Sequence, residues 1–112
     1  MSRHKTEIPY GTLELLILKS LDTMGQLHGY ALARRIEQVS GGEMRLSQGA
    51  VYPALVRLVQ QGLIAAEWGQ SNTNRRVKFY AITPAGKRQL GAESDKWRRA
   101  ALLVAKFMET PR

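Results

Sequence analysis

Residues 47–64 read SQGAVYPALVRLVQQGLI. Val51, Leu55, Leu58 and Gly62 recur at the spacing of one helix face, and Gly62 is a natural C-terminal stop. Pro53 stands inside that pattern, and proline has no N–H to give the carbonyl four residues earlier. A helix accepts it without loss only near its leading end, where the N–H has no intrahelical partner. The stretch therefore reads as a helix within 47–61 that starts near Gly49 or has an irregular first turn. Its apolar stripe is intact, and its leading end, with Ser47, Gln48, Tyr52 and Pro53, is shaped for something outside the core.

Working outward, TLELLILKSLDTMG places Leu13, Leu16, Ile17, Ser20, Leu21 and Met24 at helical spacing, closed by Gly25. Leu15 and Leu18 add a second apolar flank, as in a helix buried on more than one side. HGYALARRIEQVSGG carries a narrower stripe of Leu32, Ile36 and Val39 and ends at Gly41-Gly42. Downstream, IAAEWG and RRVKFYAIT flank the polar tip QSNTN and read as a hairpin. TPAG then supplies Thr83 as N-cap and Pro84 at the first helical position. The helix it opens could run to about Glu109, roughly 26 residues or about 39 Å.

Three helices followed by a two-stranded hairpin is the order of a winged helix-turn-helix, an α+β but mainly α fold in which the third helix enters the DNA major groove. The chain divides into a flexible arm over 1–9, the winged helix-turn-helix over 10–82, and a C-terminal helix over 83–109. The last helix is too long for a monomer of 112 residues to cover. Its stripe of Leu90, Trp97, Ala101, Val104 and Met108, with Leu103 and Phe107 beside it, is expected to meet a second copy, together with Leu15 and Leu18 of the first helix. The competing arrangement folds it back over the first helix.

Charge points the same way. The 17 Lys and Arg against 9 Asp and Glu give +8, and the excess is concentrated in the middle of the chain. Residues 1–43 are neutral on balance, 44–92 carry +6 with Glu67 as their one acid, and 93–112 add +2. A basic middle suits a polyanion, since each neutralised phosphate releases counterions, although a merely solubilising surface is also compatible. Gln48 can pair with adenine, Arg57 with guanine or phosphate, and an apolar ring such as Tyr52 can touch a thymine methyl. Tyr52 could equally pack on the hairpin and Arg57 bond a helix end. In the wing, Arg75, Arg76 and Lys78 suit phosphate contact or a minor-groove probe, and a charged, solvated edge is the alternative.

GTLELLILKSL, HGYALARRIE, GAVYPALVRLVQQGLI and RRVKFYAITPAGKRQL, in that order over about residues 10–108, resemble the PadR family of bacterial transcription regulators in its short class with one C-terminal helix. RRIEQVSGG, AEWG and TNRR resemble a branch often encoded near permease genes. Tyr52-Pro53, His28-Gly29-Tyr30, and Thr83 with Gly86 match the family's pattern; Val59 departs from its usual glutamate. The resemblance implies a homodimeric repressor that uses the third helix and wing on operator DNA and the first and last helices for dimerisation. Some short relatives hold flat hydrophobic compounds between subunits, which makes Trp97 a candidate ligand contact as well as plain interface core.

Other chemistry has little support. No cysteine is present, and His4 and His28 are the only histidines, so no catalytic residue, cofactor or metal site is expected. His28 is expected to bond backbone at the start of the second helix. No segment is apolar enough to span a membrane, and MSRHKTEIPYG lacks an apolar signal core, so a cytoplasmic location is expected. The expected partners are palindromic double-stranded DNA, a second copy, and a candidate small hydrophobic effector. A winged-helix protein-interaction adaptor is the rival from another class. A binder of structured RNA has no exposed aromatic platform to favour it.

Overall fold

The computed structural model describes residues 11–46 and 48–111. The arm expected over 1–9 lies outside them. Helix α1 (Thr12–Met24) runs into the short strand β1 (Leu27–His28) and helix α2 (Gly29–Val39). Helix α3 (Gln48–Gln60), strands β2 (Ile64–Gln70) and β3 (Arg76–Ile82), and helix α4 (Pro84–Met108) follow.

The apolar stripes of the first three helices converge on one core. Ile17, Leu18 and Leu21 of α1 meet Leu32, Ala33 and Ile36 of α2 and Val51, Ala54, Leu55 and Leu58 of α3. Ile64, Tyr80 and Leu90 close it from the sheet and α4. Fully burying a side chain of this size stabilises by about 1.5–3 kcal/mol, so these residues dominate the fold. Two members of the expected stripes stay outside. Val39 and Met24 occupy the last turns of their helices, past the reach of the core, and are exposed.

α3 begins at Gln48, ahead of the expected start, so Pro53 falls in the second turn rather than the first. The carbonyl it cannot serve is that of Gly49, which faces water, so the break leaves no buried polar group. At the other end, Gly62 adopts φ 74°. Its N–H bonds the Val59 carbonyl and the Leu63 N–H bonds the Leu58 carbonyl, each at 3.0 Å, a Schellman closure that turns the chain straight into β2.

The sheet has three antiparallel strands in the order β1-β3-β2, where the sequence pattern predicts only the hairpin. β1 adds Leu27 opposite Tyr80 and His28 opposite Phe79. Two residues are too few to show a period. His28 is also the N-cap of α2: its Nδ1 accepts the Ala31 N–H at 3.3 Å, as expected, and its ring stands edge-on to Phe79 at 5.7 Å. At the tip, Asn72, Thr73 and Asn74 form a three-residue loop with Asn74 at φ 63°, and Ser71 and Arg75 close it through a 2.8 Å backbone bond.

Thr83 caps α4. Its hydroxyl accepts the Gly86 N–H at 3.0 Å and donates to the Gly62 carbonyl at 2.7 Å. One side chain thus ties the start of α4 to the end of α3. α4 gives the core only its first two turns, through Gly86 and Leu90, and then runs free. The radius of gyration, 16.1 Å, exceeds the roughly 13 Å of a compact chain near this length for that reason.

Candidate nucleic-acid interface

α3 and the β2–β3 wing stand on either side of an open groove of about 1030 Å³. Val51, Leu55 and Tyr80 form its floor, Tyr52 one wall, and Trp68 with Lys78 the other. Arg75 sits at its rim with the polar tip residues. An apolar floor between an exposed helix face and a cationic edge is a shape into which a charged backbone can settle.

The hairpin register explains the cationic wall. Gln70 faces Arg76, Trp68 faces Lys78 and Ala66 faces Tyr80. Alternation puts Trp68, Arg76, Lys78 and Tyr80 on one face of the ribbon, and Glu67, Val77 and Phe79 on the other. The wing's one carboxylate, Glu67, therefore points away from its cations. Among the described residues, no carboxylate pairs with Arg75, Arg76 or Lys78. Instead, the Arg76 guanidinium lies 4.9 Å from the centroid of the Trp68 ring, and Lys78 Nζ lies 5.5 Å from it.

On α3, Tyr52 and Pro53 are both exposed, off the buried stripe. Ser47 and the side chain of Gln48 lie outside the described residues. Tyr80, at the groove floor, holds its phenol proton more tightly than an ordinary tyrosine. Burial disfavours its charged form, and the nearby Tyr52 hydroxyl, once ionised, would repel it.

Arg57 bonds within the protomer, although to a carboxylate and not to a helix end. Its Nε and Nη2 donate to Glu14 Oε2 at 2.9 and 2.7 Å, tying α3 to α1. Its position in the last turn of α3 places it beyond the leading end. Two of the expected dimer residues change role: Leu18 and Leu90 are 2% and 7% exposed, spent on the protomer's own core. Leu15 is half-buried against that core. Trp97, Ala101, Val104 and Met108 are exposed on α4, with Leu102, Leu103 and Phe107.

Trp68 is a groove residue that sequence reading did not single out. A tryptophan in a strand normally reads as buried sheet packing. The available signal was its place between Glu67 and Gly69 near the tip of a ribbon whose other strand carries cations. No helix is long and apolar enough to cross a membrane among the described residues.

Residues 17–92 match the transcriptional regulator PadR-like family. The chain is 37% identical over 86 residues to an uncharacterised 37.1 kDa protein in transposon TN4556 of Streptomyces fradiae, covering 77% of this chain and 23% of that protein. It thus spans about a quarter of that relative's length. Among solved structures, it is similar to a PadR family transcriptional regulator from Eggerthella lenta DSM 2243, with 31% identity, TM-score 0.78, and 90% and 85% of the two chains covered. A PadR-like transcriptional regulator from Bacillus cereus ATCC 14579 matches with 27% identity, TM-score 0.77, and coverage of 90% and 95%.

Proposed function

The chain belongs to the PadR-like family of transcriptional regulators, which are DNA-binding proteins and not enzymes, and from that membership we propose that it is a homodimeric, sequence-specific repressor that acts by occupying a promoter. The leading end of α3 enters the major groove, with Ser47, Gln48, Tyr52 and Pro53 at the bases or groove wall. Arg75, Arg76 and Lys78 hold phosphate. Phosphate contacts set position and salt dependence, whereas the α3 contacts set sequence.

One observation carries this reading: Arg75 and Lys78 line an open groove across from the exposed Tyr52, with Arg76 beside them on the wing, and among the described residues none of the three cations has a carboxylate partner. A purely solubilising surface would gain nothing from keeping its one wing carboxylate on the opposite face. Arg57, held by Glu14, is left out of the DNA-contacting set.

Dimerisation rests on α4. Leu102, Leu103, Val104, Phe107 and Met108 are each more than half exposed, an apolar surface that a lone soluble chain rarely leaves uncovered. Paired with its counterpart through Trp97, Ala101, Val104 and Met108, α4 sets the separation of two α3 helices. Those helices then read palindromic half-sites about one helical turn, roughly 34–36 Å, apart. Trp97, 43% exposed, would face such a seam and offers a flat apolar surface to a small hydrophobic effector. That effector relieves repression only if it prefers one α3 separation over another.

Arg76→Ala tests the wing assignment. Affinity should fall alike for every duplex, and the slope of log affinity against log salt should become shallower by about one. Unchanged affinity and slope would remove the wing from the interface.

A further inference from the structure

Trp68 is 54% exposed at the wing, an unusual place for the largest apolar side chain. It contributes nothing to the core cluster. Its cross-strand partner is Lys78, and Arg76 lies one step along the same face toward the tip. Both cations sit within reach of its ring, at 5.5 and 4.9 Å, inside the 6 Å or so over which the ring quadrupole attracts a cation. We propose that Trp68 is a positioning residue for DNA binding, holding Arg76 and Lys78 over its ring in the orientation in which they meet the phosphate backbone.

The physical reason lies in side-chain entropy. Free Arg and Lys side chains sample many rotamers, and each one immobilised on binding weakens the complex. A ring that holds both before DNA arrives removes part of that loss. It also sets their spacing, because a two-residue step along a strand is about 6.6 Å, close to the separation of successive phosphates on one strand. The alternatives to stacking are absent among the described residues: neither cation has a carboxylate partner, and Glu67 projects from the far face. Trp68 and Lys78 also line the groove shared with Tyr52, so this edge of the wing faces α3.

This inference rests on the DNA-binding reading, and its test separates the two. Binding of the full chain to a labelled mixed-sequence duplex is measured by anisotropy over a range of salt for the wild type, Trp68→Ala, Trp68→Phe, the Arg76→Ala/Lys78→Ala pair, and all three alanines together. Trp68→Ala should weaken binding on the order of 10-fold and make the salt slope shallower by about one to two, the signature of lost phosphate contacts. Trp68→Phe, which keeps an aromatic face, should recover most of both. Adding Trp68→Ala to the Arg76→Ala/Lys78→Ala pair should change little, since its effect passes through those cations.

A wild-type slope in Trp68→Ala overturns the inference and leaves the DNA-binding reading standing. So does a loss of affinity without a change in slope, or one that adds fully to the double variant, because Trp68 would then touch DNA on its own account. A wild-type chain that shows no salt-dependent binding overturns the DNA-binding reading and this inference with it. Circular dichroism of each variant separates a folding defect from a binding one; the exposure of Trp68 predicts native spectra. If Trp68→Ala is unfolded, Trp68→Leu, which keeps bulk without the ring quadrupole, takes its place and should show the same loss of affinity and slope, a wild-type slope again overturning the inference.

Discussion

Gly86 lies so close to the turn after α3 that a Cβ on it would stand 2.0 Å from the Leu63 carbonyl oxygen and 2.7 Å from Ile82 Cγ1. The first of these is backbone and cannot swing aside. Together with the Thr83 hydroxyl on the Gly62 carbonyl, this contact fixes where α4 departs from the winged-helix half of the molecule.

Helix propensity alone says that Gly86→Ala should stabilise α4 by about 1 kcal/mol. The clash decides otherwise, and a loss of about 2 kcal/mol or more is expected. Gly91, on the same helix with nothing within 4 Å, supplies the control. Gly91→Ala should stabilise by about 0.5–1 kcal/mol. Urea denaturation of the two variants should move in opposite directions.

The Arg57–Glu14 pair ties α3 to α1, and on the proposed reading it acts on stability and not on DNA binding. The Arg57 side chain is 49% exposed and that of Glu14 24%, so solvent screening holds the pair to about 1 kcal/mol. Arg57→Met should lower stability by about that amount while leaving the salt slope of DNA binding unchanged. A slope that flattens as much as in Arg76→Ala would return Arg57 to the interface.

Tyr80 gives the fold a dependence on alkaline pH. Its folded pKa is raised above the ordinary value of about 10, so the folded state holds the proton more tightly than the unfolded chain. The associated stability is fully present below about pH 10 and is lost as pH rises through the folded pKa. Tyr80→Phe keeps the ring and removes the proton. The wild type should therefore lose stability relative to Tyr80→Phe as pH rises above 10, and a difference that stays flat over that range would show that the phenol ionises freely.

Val104→Glu places a charge in the proposed seam, far from the core. The variant should stay folded but sediment as a monomer. Its affinity for a two-half-site duplex should fall on the order of 100-fold or more, because the two half-sites are no longer bound as one unit. A Val104→Glu chain that remains dimeric would place the interface elsewhere on α4.

Long periodic elements were legible in the sequence because their signals are redundant. The Val51, Leu55, Leu58 stripe, the Gly62 stop and the Thr83-Pro84 start each name a boundary by physical chemistry that a single sequence displays. The strand at Leu27–His28 was not legible, since two residues have no period and its existence depends on β3 passing alongside. The candidate site divides similarly. Arg75, Arg76 and Lys78 could be picked out by charge, but the ring that Arg76 and Lys78 share, Trp68, is visible only once the register of the hairpin is known. The Arg57 bond to Glu14 was not legible, because its partner lies 43 residues earlier in the chain. Leu18 and Leu90 were read as interface because periodicity tells which side of a helix is apolar and not what covers it.

The most direct test compares two duplexes by fluorescence anisotropy with the full chain: the sequence upstream of its own gene and a shuffled version of equal composition, each at low and at physiological salt. Tight binding that survives physiological salt only on the native duplex is the outcome expected of a sequence-specific regulator. Equal binding to both duplexes, lost together as salt rises, would contradict it and leave a basic winged helix without an operator at that site.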